Sequence, residues 1–203
     1  MRIMFFLVLV GMIASCGKKH TVHIKAVNPV TGQVYVGLKY RISQEKTTLW
    51  DEKTKVIANG ELNENGEANA TFRRGNHPIR VQIEWPSNCC YSKNDVYYIK
   101  EDGPNHEVLV EFAECATLQR KVKNINCVDS NDKIEIHIDN SVHSLLSAPW
   151  ILNGCTDYTT TPTQVPIGNY TLHWIVTKNN ISTDYYDSFN LIENETKIYE
   201  INY

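Results

Sequence analysis

The chain has 203 residues, 42% of them hydrophobic and 21% charged, a composition that excludes a disordered polymer and suits a folded globular protein. Twenty basic residues against 23 acidic ones leave a net charge of −3, so there is no basic excess to hold phosphates and nucleic-acid binding is not expected. Outside residues 3–13, no apolar stretch approaches the roughly 20 residues of a membrane-spanning helix.

Arg2 supplies one positive charge ahead of residues 3–13 (IMFFLVLVGMI), an apolar run of signal-peptide length. Ala14 and Ser15 are small, and Cys16 and Gly17 follow directly. The tetrad Ile13-Ala14-Ser15-Cys16 resembles the lipobox of bacterial lipoproteins. The resemblance implies a thioether-linked diacylglycerol on Cys16, cleavage just before it, and acylation of the new amino terminus. Each buried CH₂ contributes about 0.8 kcal/mol, and two or more chains hold a protein firmly on a bilayer. An ordinary signal peptide cut near Ala14 or Ser15 is the rival reading. Loss of residues 1–15 removes Arg2 and leaves 188 residues of net charge −4. Residues 16–20 then read as a lipidated tether. Asn69, Asn169, Asn180 and Asn194 match the glycosylation sequon, which matters only in a eukaryotic secreted chain.

From Thr21 the pattern is β. Residues 21–27 alternate, with Val22, Ile24 and Ala26 on one face. A Pro- and Gly-containing turn at residues 28–32 leads into an expected strand over residues 34–42. Strands are expected around Leu49-Trp50 and residues 55–57, and Asn59-Gly60 and Asn65-Gly66 are both strong hairpin-turn dipeptides. Residues 67–72 alternate, and residues 79–85 (IRVQIEW) place Ile79, Val81, Ile83 and Trp85 inward. Residues 96–99 and 107–112 close a first half. Expected strands of the second half are residues 117–122, 133–138, 147–152, 170–177, 188–192 and 197–203. Residues 159–166 read as a polar link and Asn179-Asn180 as a turn, while residues 141–151 alone allow a helical turn. Short strands at this spacing predict an all-β chain of two small antiparallel Greek-key sandwiches, residues 21–115 and 116–203.

Five cysteines remain after Cys16: Cys89, Cys90, Cys115, Cys127 and Cys155. Export into an oxidising compartment favours bridges, here Cys127 with Cys155 and Cys115 with either Cys89 or Cys90. Five buried, reduced thiols are the alternative. No CxxC pair and no finger-like Cys–His spacing supports a metal site.

Residues 27–42 (VNPVTGQVYVGLKYRI) resemble the opening of carboxypeptidase-regulatory-like, or transthyretin-like, domains, in which two strands flank a TG-x-x-V-x-G turn. Residues 63–68 (NENGEA) resemble that family's hairpin, with Leu62-Asn63 in place of its Thr-Asp. Residues 79–91 fall where its strand runs into a P-G-Y corner, here Pro86-Ser87-Asn88. Residues 165–172 (VPIGNYTL) resemble the L-x-P-G-x-Y-x-L start of a sheet strand. The resemblance implies a sandwich fold and a module that is usually non-enzymatic. Joined to a lipobox, it is similar to many small lipoproteins of Bacteroidota.

No nucleophile elbow, phosphate loop, dinucleotide fingerprint or HExxH motif is present, so no catalytic residue, metal ligand or cofactor is expected. Glu61, Asn63, Asn65 and Gly66 match the first positions of a calcium loop, but Phe72 stands where its bidentate Glu belongs. Trp150, Tyr158, Trp174, Tyr185 and Tyr186 suit either a sandwich core or a surface that stacks on sugars or a protein partner. The expectation is a non-enzymatic, membrane-anchored envelope lipoprotein serving as a structural or protein-interaction module, with glycan binding as the alternative. Gly17 in place of an acidic residue, and Lys18-Lys19 in place of an acidic tract, point to an outer-membrane anchor facing the periplasm.

Overall fold

A computed structural model describes residues 19–47, 52–73, 77–99, 103–143 and 148–203. The expected signal peptide, Cys16, residues 17–18 and the expected strand at Leu49-Trp50 lie outside them. The described residues hold fifteen strands and no helix, in agreement with the all-β expectation. They form two compact units that interleave along the chain. The first comprises the chain up to Val27, Val34–Glu84 and Asn94–Val110; the second comprises Asn28–Gln33, Trp85–Lys93 and Glu111–Tyr203. The expected boundary after Cys115 thus falls within the second unit.

In the first unit, β1 (Lys19–Val27) pairs antiparallel with β4 (Glu67–Arg73), and β1 also neighbours the opening part of β8 (Asn105–Lys123). A second sheet runs β3 (Glu52–Glu61), β2 (Lys39–Thr47), β5 (Ile79–Ile83) and β7 (Val96–Ile99). Period-two alternation buries Val22, Ile24 and Ala26 on β1, Ala68, Ala70 and Phe72 on β4, and Ile79, Val81 and Ile83 on β5. The hairpin before β4 is set by Asn63, whose Oδ1 accepts the N–H groups of Asn65 and Glu67. Gly66 takes φ +69° there, and a Cβ on it would lie 2.9 Å from that of Val34.

Several local expectations need correction in this unit. β1 opens at Lys19, so the last two residues read as tether belong to the sheet. The His20 ring is 3% exposed, stacks on Phe72, and its Nδ1 lies 3.1 Å from Nε2 of His106. Residues 34–38 are not a strand, and Val34 makes only a single bridge to Val27. The Asn28 side chain captures the N–H groups of Val30 and Thr31, and Gly32 and Gly37 take φ near +74°, which delays β2 to Lys39. Asn59-Gly60 is no turn: it lies inside β3, where the Tyr40 ring covers Gly60 so closely that a Cβ would meet its hydroxyl at 2.8 Å. Trp85 falls beyond β5 and is 51% exposed, not inward.

The second unit has two facing sheets. One is built on residues 111–123 of β8, joined by β6 (Cys89–Lys93), β11 (Asp157–Thr159), β12 (Thr163–Pro166) and β15 (Thr196–Asn202). The other runs β10 (Trp150–Asn153), β9 (Lys133–Asn140), β13 (Gly168–Lys178) and β14 (Ile181–Leu191). Leu118, Val122 and Ile201 of the first sheet meet Ile134, Ile136, Leu172 and Val176 of the second in one core. β15 runs parallel to β8, a departure from the fully antiparallel expectation. The strands expected at residues 107–112 and 117–122 are one continuous β8. β11 and β12 occupy much of the stretch read as a link. The turn at Asn179-Asn180 is present, both residues at positive φ. Tyr170 anchors the start of β13 by donating its hydroxyl to the Pro166 carbonyl at 2.7 Å.

Two disulfides lie in this unit, Cys90–Cys115 and Cys127–Cys155. A register shift between Cys89 and Tyr91 explains why Cys90 is the bridged member of the vicinal pair: the bulge turns it towards Cys115. Cys89 stays outside both bridges and donates its thiol to the Tyr91 carbonyl at 2.8 Å. The bridges close loops with sequence separations of 25 and 28. Loops of that length restrict the unfolded chain by about 3 kcal/mol each. Replacing Cys127 and Cys155 together by Ser should lower unfolding free energy by about that amount in a denaturant titration.

Candidate functional site

A concavity with an unusual polar group lies in the second unit. Along β8 the even-numbered side chains face the core, and Leu118 and Val122 are buried there. Arg120 stands between them in the same row, where a Leu or Val would fit the pattern. Its guanidinium carbon lies 5.2 Å from the centre of the Trp150 ring. Trp150, on β10, meets Tyr158, on β11, edge to face at 5.2 Å. Around this pair a cleft of about 210 Å³ is lined by Leu118, Ile136, Ile138, Val165, Thr163 and Tyr170, together with Arg120, Trp150 and Ala148.

Among the described residues no acidic side chain lines the cleft, and the Arg120 guanidinium donates no hydrogen bond. Burial pulls the Arg120 pKa down, which reports partial loss of water around a charge. Burial pushes the Tyr170 hydroxyl up to about 12, so it enters the cleft region as a neutral donor committed to Pro166. A wider hollow of about 550 Å³ lies in the first unit over β2, β3 and β5. It is a broad surface with Lys39 and Arg41 set against Glu61 and Glu84.

The five aromatics of the sequence analysis fall into three groups. Trp150 and Tyr158 flank the cleft. Trp174 and Tyr185 stack on each other at 5.7 Å, Trp174 packing against the core. Tyr186 is 74% exposed and stacks on His173 at 4.5 Å, which in turn stacks on His137 at 5.5 Å. The histidines looked scattered in the chain, but the registers of β9, β13 and β14 set His137, His173 and Tyr186 side by side. His173 bonds Asp184 at 2.6 Å and His137 bonds Glu135 at 3.2 Å. Of the calcium-loop residues, Asn63 spends its side-chain oxygen on backbone N–H groups of the hairpin. Among the described residues no group of three or more His, Cys, Asp or Glu converges as metal ligands would. Sequence reading missed Arg120. The signal was available in the even-numbered row of β8, which it interrupts.

One further polar cluster lies near the Cys127–Cys155 bridge. The buried Asn124 amide donates to Asp132 Oδ2 at 2.8 Å and accepts from Lys178 Nζ at 3.0 Å. Val128 donates its N–H to the same Asp132 oxygen at 2.9 Å. The Val128 N–H, and then the Asn124 amide, hold the Asp132 carboxyl below its ordinary 3.8. This cluster ties the segment before β9 to the end of β13 and reads as structural.

No protein-family model matches the chain, and no curated protein matches it significantly. Among solved structures, similar chains include the Bacillus anthracis TIE protein, at 15% identity and TM-score 0.40, covering 92% of this chain and 34% of that one. The shaft pilin spaA from Lactobacillus rhamnosus GG has 10% identity and TM-score 0.37, with 91% of this chain and 97% of that one covered. A Streptococcal ancillary pilin has 10% identity and TM-score 0.36, with 91% and 62% covered. The chain thus spans about a third of the first of these. Likeness at this level assigns the chain to no family.

Because the folded-state pKa of Asp132 is depressed, its contribution to stability is present above pH 3.8 and is lost as pH falls through the lower folded value. Denaturant titrations should show Asp132→Asn less stable than the parent at pH 7, with the gap closing towards pH 2.

Proposed function

We propose that the chain is a non-enzymatic lipoprotein of the bacterial cell envelope, anchored by lipid on Cys16. Its sandwiches serve as a structural or protein-interaction module. The observation that carries this reading is Ile13-Ala14-Ser15-Cys16 standing directly after an apolar run of signal length. The two disulfides support it, since bridges persist in the oxidising compartments that exported chains reach. The fold alone does not decide between a binding and a structural role. The outer membrane, with the body facing the periplasm, is the placement we favour, on Gly17 and Lys18-Lys19.

Glycan binding is the second reading, favoured by Tyr186, whose ring stands exposed on the terminal strand of its sheet. The anchor is tested by Cys16→Ser. Intact mass should show the parent cut before Cys16 and carrying the added mass of its lipid, and the Cys16→Ser variant carrying none. A parent cut elsewhere or without lipid mass would overturn the proposal.

A further inference from the structure

Arg120 interrupts the even-numbered row Ala116, Leu118 and Val122 of β8 in the second unit. It is met by the Trp150 ring and a largely apolar cleft, with no acidic group among the described lining residues. An inward-facing arginine without a carboxylate partner costs stability that a methionine or leucine would not. A fold keeps such a residue where its charge has a use.

The geometry of the site states what that use is. A guanidinium offers five N–H donors in a planar fork that matches both oxygens of a carboxylate. Reduced water around Arg120 strengthens such a pair. Leu118, Ile136, Ile138 and Val165 supply an apolar surface for whatever the carboxylate carries, and Trp150 closes it on one side. The volume of about 210 Å³ lies below the 300–1,000 Å³ range of ordinary small-molecule pockets. It corresponds to about seven waters' share of liquid volume, which is room for one branched or aromatic group.

We propose that this cleft binds a small organic acid, with its carboxylate on the Arg120 guanidinium and a single apolar group held among Leu118, Ile136, Ile138 and Trp150. The ligand belongs to the second sandwich alone and requires no lipid on Cys16, so its test is separate from that of the anchor. The chemistry is shared by a free acid and by the carboxyl-terminal residue of a peptide.

The test uses the purified mature protein with its disulfides intact. 4-Methylpentanoate and its uncharged amide are titrated while the Trp150 indole signal is followed by NMR, assigned with Trp150→Phe. The acid should give a saturable shift and the amide should bind at least tenfold more weakly. Arg120→Met should lose the acid at least tenfold and melt at or above the parent temperature, since the charge is removed at similar length. Tighter binding of N-acetyl-leucine than of 4-methylpentanoate identifies a peptide terminus as the source, and weaker binding identifies a free acid. Equal binding of acid and amide, or undiminished binding by Arg120→Met, overturns the proposal. So does a marked fall in the melting temperature of Arg120→Met, which would make Arg120 a structural strut.

Discussion

Along residues 116–122 of β8 the even-numbered side chains are committed to one face, and that alternation organises much of what surrounds it. In the second unit its backbone carries β6 at residues 111–114, β12 and β11 at residues 115–118 and 121–123, and β15 at residues 117–123. A strand paired this fully has no freedom of register, because a slip by one residue would turn Leu118 and Val122 outward. The same commitment fixes Arg120 inward. Its position is therefore imposed by the pairing of four other strands and not by any partner of its own.

Where side-chain alternation was clean the fold could be read directly. β1, β4, β5, β9 and β13 all appear close to their expected places, because one face of each is buried and period two is then visible in the residue types. Failures have local causes. β6 (CCYSK) has no alternation to read, since it carries a bulge and a bridged cysteine. Asn59-Gly60 has the composition of a turn, but its glycine is there to let the Tyr40 ring approach the backbone. Residues 28–37 look like turn and strand, and are held away from the sheet by the Asn28 side chain and two glycines at positive φ. What joins distant strands was beyond the reach of pattern: the row of His137, His173 and Tyr186, and the meeting of Trp150 with Arg120, exist only through register. The parallel run of β15 along β8 is of the same kind.

The second sandwich is unevenly secured. Near the end of β13, Cys127–Cys155 joins the segment before β9 to the β10–β11 connection, and hydrogen bonds of Asn124 with Asp132 and Lys178 tie that segment to the strand. Around Trp150 the edge strands are short, β10 having four residues and β11 three; each is laddered to one neighbour, and the two meet each other through the Trp150 and Tyr158 rings. Rings can yield to an incoming group at little cost, whereas a bridged and hydrogen-bonded loop cannot. Cys155, in the connection between β10 and β11, fastens one end of the two strands whose rings meet beside the cleft.

β1 is already in its sheet at Lys19, with the His20 ring buried one residue later. On the lipid-anchored reading, only three backbone steps separate the acylated residue from folded structure, a leash of about 11 Å when fully drawn out. The first unit would then be held close to the headgroups, and anything that meets it would have to come to the membrane to do so.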